Sequence, residues 1–208
     1  FRNGWDRNYI RLGLKSYYSC SATSERTKSE GGGRGILEMH KYERSSFCNY
    51  VVSSVLPARR GVSVVQSVET GGKWRTITLP PQVDNALRSF HTSMYDHLSH
   101  FPWLLRGDAK AARFKDFHRV PGEVFVSGDY ESATDNLNAG LQRSIMEVIL
   151  DQSRNVPKGI ADHALSIYDS DLRIGRGGVD VFRQRRGQLM GQLTSFPLLC
   201  LINYITFR

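Results

Sequence analysis

The stretch Val124-Phe125-Val126-Ser127-Gly128-Asp129-Tyr130-Glu131-Ser132-Ala133-Thr134-Asp135-Asn136-Leu137 decides how this chain is read. Val124 to Ser127 carry no charge, include β-branched and aromatic residues, and lie between Gly122 and Gly128. Such a run predicts a short strand covered on both faces. The strand ends on Asp129, and Asp135 follows six positions later, ahead of a helical pattern that begins near Asn138. The carboxyl end of a strand and the turn into a helix commonly present functional groups in sheet-based folds. Asp129 is therefore the candidate metal ligand. A hard cation such as Mg²⁺ takes one or two carboxylates and completes its shell with water and phosphate. Asp135, too far along to share that ion, is a candidate acceptor for a ligand hydroxyl. Two plainer roles stay open: Asp135 as a helix N-cap and Asp129 as a turn residue. A calcium loop is not indicated, because the ordered Asp/Asn ligands and the closing Glu are missing.

Around this stretch, 208 residues allow one large domain or two small ones, and 40% hydrophobic content allows a substantial core. A formal charge of +8 favours a polyanionic partner. Cys20, Cys48 and Cys200 are scattered and odd in number, which points to reduced thiols in an intracellular setting rather than a disulfide framework. The most apolar run, Phe196 to Phe207, is interrupted by Asn203 and reads as a buried helix rather than a membrane span.

Upstream, Trp5, Tyr9, Tyr17 and Tyr18 alternate with Arg2, Arg7, Arg11 and Lys15, a mixture suited to an amphipathic helix against a core or to stacking and phosphate pairing. Gly31-Gly32-Gly33 and Gly35 mark a polar loop that lacks the Gly-Lys-Ser/Thr of a phosphate cradle, since Arg34-Gly35-Ile36 stands there. A helix is expected from Tyr42 to Leu56, ended by Pro57-Ala58-Arg59-Arg60-Gly61. Val62 to Glu69 and Trp74 to Leu79 predict two strands joined at Gly71-Gly72. Lys73 and Arg75, two apart, fall on one strand face and suit a triphosphate, or equally a solvated surface. Beyond Pro80-Pro81, helical spacing carries Val83 to Leu98. His97 and His100 share a face of that helix without a carboxylate or cysteine to complete a metal set. Lys110, Arg113, Lys115 and Arg119 make a basic approach to the central stretch.

Downstream, helices are expected to about Gln152 and from Pro157 to Tyr168. A hairpin is expected over Arg173 to Gln184, followed by Arg183, Arg185 and Arg186. Gly187 to Asn203 then combines a loop between Gly187 and Gly191 with a helix capped by Thr194 or Ser195.

Taken together, these motifs resemble the RNA-dependent RNA polymerases of positive-strand RNA viruses, most closely the botourmiavirus (ourmia-like) and narnavirus group. Gly72-Lys73-Trp74-Arg75 is similar to the fingers motif that grips the incoming triphosphate. Ser127 to Leu137 is similar to the first palm motif, and Gly187 to Asn203 to the second. The resemblance runs from Val62 to Arg208, and three motifs in order are far more specific than any one.

The resemblance implies an α+β fold, a fragment of a right-hand polymerase with fingers and palm. Residues 1–60 would be fingers-associated, 61–122 fingers, and 123–208 palm with interposed fingers helices. It implies catalytic roles for Asp129, as ligand of Mg²⁺ or Mn²⁺, and for Asp135, at the ribose 2′-hydroxyl. Lys73 and Arg75 would neutralise the triphosphate. Gly187, Gly191, Thr194, Ser195 and Asn203 would line the nucleotide and template site. Its implied partners are an RNA template with primer or nascent strand and nucleoside triphosphates. Its implied setting is the host cytoplasm, with a mitochondrial one left open.

Two departures stand out. The family's third palm motif, Gly-Asp-Asp, does not occur, so a truncated and inactive fragment is expected. The Asn that many relatives place one turn after the Ser or Thr is Leu199 here. Asn203 lies eight residues after Ser195, about 80° around the helix. A non-catalytic basic RNA-binding module and a reverse transcriptase-like palm are the competing readings. The carboxylate at Asp135, where a reverse transcriptase usually carries bulk, favours ribonucleotides.

Overall fold

The glycine pair at 71–72 has positive φ at both positions and closes a hairpin, as its sequence predicts. Strand β1 (Ser63–Thr70) pairs antiparallel with β2 (Lys73–Leu79), in register from Val64↔Leu79 to Thr70↔Lys73. The computed structural model describes residues 1–35, 43–58, 61–115 and 117–207, with the side chain of Arg113 excluded. Ile36, Tyr42, Arg59, Arg60 and Arg208, named above, lie outside the described residues.

The chain is mixed α and β, compatible with the α+β class. Its four-stranded sheet has the order β2-β1-β3-β4. Strand β3 (Asp171–Ile174) joins β1 in parallel over Ser63 to Val65 only, and pairs antiparallel with β4 (Val181–Arg183). The far part of the β1–β2 ribbon therefore has no lateral neighbour in the sheet, and its residues become progressively more exposed toward the turn.

The helices form the core. Helix α1 (Tyr9–Lys15) packs on α2 (Arg44–Ser53), which lies within the helix expected from Tyr42. The segment after Pro80-Pro81 starts as a 3₁₀ turn (Gln82–Leu87) before continuing as α3 (Arg88–Leu98). Phe90, Met94 and Leu98 recur at helical spacing and are fully buried. Helices α4 (Ala139–Asp151) and α5 (Lys158–Ser166) add Met146, Ile149 and Ile160 to the same cluster, and α6 (Ser195–Thr206) adds Leu198. No helix among the described residues is long and apolar enough to cross a membrane.

Several polar groups inside this core are hydrogen-bonded across it. The Trp5 indole donates to the Ile149 carbonyl (2.9 Å) and the Tyr9 hydroxyl to the Val51 carbonyl (2.7 Å). Buried Asp6 accepts main-chain N–H bonds from Arg154, Asn155 and Val156 at 3.0, 2.6 and 3.0 Å. His163 Nε2 lies 2.8 Å from Asp84 Oδ1, both buried, tying α5 to the 3₁₀ turn. His97 packs its ring on Phe1 and Trp5, and exposed His100 bonds the Asp96 carbonyl, so neither is placed in a metal set.

The central stretch departs from its expected form. Val124 to Ser127 is not a strand: it joins no sheet among the described residues, and Val124, Phe125 and Val126 are 77%, 57% and 87% exposed. Four residues between glycines close too few hydrogen bonds to hold a strand by themselves. The high strand propensity of Val and Phe is realised only against lateral neighbours and a covering layer. Here the ring partner of Phe125 among the described residues is local, Phe117, at 4.7 Å between centroids.

Candidate functional site

One loop bonds the backbone of the Asp135 segment and that of β2. The Gly187 N–H donates to the Leu137 carbonyl (2.7 Å) and the Gln188 N–H to the Thr134 carbonyl (2.9 Å), which docks the loop on the segment carrying Asp135. At its other end the Thr78 N–H donates to the Met190 carbonyl (2.7 Å), which docks the loop on β2. Both glycines are needed for this approach. Gly187 has φ +81, and a Cβ there would lie 2.8 Å from the Asp135 carbonyl oxygen. Gly191 has φ +118, and a Cβ there would lie 2.0 Å from the Thr78 carbonyl oxygen. No side chain fits at either place.

Three buried amides hold the loop and the residue after it. The Gln142 and Gln184 side chains donate to the Gly187 carbonyl at 3.2 and 2.9 Å, and Gln192 donates to the Ile167 carbonyl at 2.9 Å. Sequence reasoning gave these glutamines no role. The available signal was Gln184, Gln188 and Gln192 recurring every four residues beside the glycines.

The aspartates stand in an exposed turn. Asp129 and Asp135 are both exposed. Between them Ser132 has φ +52, an uncommon conformation for a residue with a side chain, and the Asp135 N–H donates to the Ser132 carbonyl (3.0 Å). Asp135 is not the cap of α4: Asn138 is, its side chain accepting from the Leu141 N–H at 2.9 Å. The Thr134 hydroxyl donates to Asp135 Oδ1 (3.2 Å). Among the described residues no three His, Cys, Asp or Glu side chains gather into a closed metal cage. An exposed carboxylate at Asp129 fits the other mode, in which Mg²⁺ takes one carboxylate and completes its shell with water and phosphate.

Asn203 is tied to Tyr130, the residue that follows Asp129 in the chain. The Tyr130 hydroxyl donates to Asn203 Oδ1 (2.8 Å), and the Tyr130 ring approaches Phe207 of the same chain end at 6.4 Å. Sequence reasoning missed Tyr130, because a tyrosine beside a candidate ligand carries no distinctive spacing. Neither hydroxyl at the head of α6 caps it. Thr194 occupies the cap position without a side-chain bond to the first turn, and the Ser195 hydroxyl donates back to the Leu189 carbonyl (3.1 Å). Thr194 adopts helical φ and ψ, whereas a capping side chain works from an extended backbone. Thr194 is buried instead against the Tyr168 hydroxyl, whose pKa burial pushes up.

Lys73 and Arg75 lie on one face of β2, as their spacing predicts, and both are exposed. They sit near the hairpin turn. Thr78, where the loop docks, is three residues beyond Arg75, about 10 Å along a strand. Of the basic residues at the end of the second hairpin, Arg183 is engaged by Asp169 and Asp171, and its bond to Asp169 raises its pKa.

No family model matches the chain. It is similar to the RNA-dependent RNA polymerase of Ourmia melon virus (isolate Melon/Iran/VE9), 33% identical over 109 residues, which cover 46% of this chain. The chain spans 12% of that relative's length. The similarity supports a relationship to viral RNA-dependent RNA polymerases over part of the sequence.

Proposed function

We propose that this chain is part of a viral RNA-directed RNA polymerase, carrying the fingers motif at Lys73 and Arg75 and the first two palm motifs. One observation carries the reading: the Gly187–Gly191 loop bonds both the Asp135 segment and β2, the strand that carries Lys73 and Arg75. The partial similarity to the Ourmia melon virus polymerase supports it independently.

In this reading Asp129 holds Mg²⁺ or Mn²⁺, with phosphate and water as the remaining ligands. When bound, the ion neutralises charge on the transferring phosphoryl group and its leaving pyrophosphate. Lys73 and Arg75 neutralise the triphosphate, and Arg75 has the planar fork that engages two phosphate oxygens at once. Asp135 accepts the ribose hydroxyl, and Gly187, Gly191, Thr194, Ser195 and Asn203 line the nucleotide and template site, with Tyr130 positioning Asn203. Nucleoside triphosphates and an RNA template with its growing strand are the partners, in the cytoplasm of the host.

The test is primer extension by a complete polymerase carrying these residues. Asp129→Asn should lower incorporation more than about a hundredfold, since even outer-layer partners of a metal cost about 10–100-fold when removed. Incorporation near the wild-type rate would remove Asp129 from the metal and leave a non-catalytic RNA-binding module as the better account.

A further inference from the structure

A second basic surface lies where α1 ends and α2 and α3 begin. Lys15, Arg34, Arg44 and Arg88 line one open cavity of about 620 Å³, and among the described residues no carboxylate lines it. None of the four enters an ion pair among the described residues, whereas Arg106, Arg143, Lys158 and Arg183 each face an acid. Two of the cations are held in place. The Arg34 guanidinium carbon sits 5.4 Å from the centroid of the Tyr17 ring, and that of Arg44 sits 6.0 Å from it. Arg34 donates to the Tyr18 carbonyl (3.3 Å) and Arg44 to the Lys15 carbonyl (2.9 Å). Tyr17 is itself set edge-on against buried Phe47. A guanidinium carries five N–H donors. Each arginine directs a donor to main chain, and others are left for a ligand. Gathering like charges is unfavourable, and an anion in the cavity relieves that cost.

We propose that this cavity binds the backbone phosphates of single-stranded RNA. Pre-set arginines favour phosphate oxygens, which they engage in pairs. The cavity also adjoins a second one that reaches the Gly187–Gly191 loop. Ser19 and Arg88 line both it and a neighbouring cavity of about 330 Å³ that Thr78 and Gly191 also line. A strand lying along this track passes from the basic cavity to the loop that joins the motifs. One local concavity does not suit an A-form duplex, which is gripped across successive minor grooves. The choice of RNA rests on the polymerase reading, and the anion site rests on the geometry.

The experiment is a salt titration of binding between the 208-residue chain and a short fluorescent oligouridylate, read by anisotropy. Arg34→Gln with Arg44→Gln should make the slope of log K against log salt shallower by about 1.4, near 0.7 for each phosphate no longer neutralised. Arg34→Lys with Arg44→Lys should keep most of the slope. Thr92→Glu, which places a negative charge in the same cavity, should weaken binding by at least about tenfold and covers the case in which the double variant does not fold. Unlabelled single-stranded RNA should compete, and inorganic triphosphate at equal phosphate concentration should not. Unchanged slope and affinity in folded variants would overturn the proposal, as would equal competition by triphosphate. The readout needs no nucleotide incorporation, so failure of this site and failure of the Asp129 assignment are seen in separate assays.

Discussion

Asp6 and Asp129 are both aspartates beside an aromatic residue, Trp5 and Tyr130, and the fold treats them in opposite ways. Asp6 is fully buried at the centre of a set of main-chain donors, while Asp129 stands in solvent beside exposed Val124 and Val126. Taken alone, an aspartate belongs at the surface and a valine run inside. Asp6 goes inside because the turn at 154–156 offers it three N–H groups at once, which replaces the water it loses. Val124 to Val126 stay outside because no strand or helix among the described residues is placed to cover them. Burial is set by available partners, and only secondarily by a residue's own polarity.

The largest expected effect separates the two regions directly. Phe90 is fully buried in the helical core, and Phe90→Ala should cost about 3–5 kcal/mol in urea unfolding. Phe125→Ala in the exposed stretch should change stability by less than about 0.5 kcal/mol. Equal losses for the two would mean that the stretch is covered in solution, and the comparison would break. Next in size, Asp6→Ala should cost about 3 kcal/mol, because it leaves buried N–H groups without an acceptor. A loss below about 0.5 kcal/mol would show that water replaces the carboxylate there.

The smallest effect is a pH dependence confined to the helical core. Burial holds the imidazoles of His91 and His97 below their ordinary pKa. The unfolded chain then binds protons more readily than the folded one. The stabilising contribution is full above the unfolded value of about 6.5 and is lost as pH falls through the lowered folded values. The melting temperature should therefore begin to fall as pH drops below about 6.5, and His91→Phe should reduce that fall. An unchanged profile in the variant would assign the acid sensitivity elsewhere.

Local pattern was enough for every element whose signal is self-contained. The β1–β2 turn at Gly71-Gly72, the phase of Phe90, Met94 and Leu98, the start of α4 and the extent of α6 each follow from spacing within a short stretch of chain, although the caps expected from Asp135, Thr194 and Ser195 do not form. The sequence also determined that Lys73 and Arg75 share a face, since alternation along a strand requires it. It did not determine whether Val124 to Ser127 forms a strand, because a strand is completed by residues elsewhere in the chain. Nor did it place His163 against Asp84, Tyr130 against Asn203, or Gln142 and Gln184 beneath Gly187, each pair far apart in sequence or unmarked by any local pattern. The cavity between α1, α2 and α3 belongs to the same class. Lys15, Arg34, Arg44 and Arg88 are spread over four segments, and only their convergence turns ordinary surface cations into one anion site. Sequence alone determined the periodic and the adjacent. Tertiary structure decided what each exposed edge, buried acid and clustered cation would meet, because those interactions depend on distances in space.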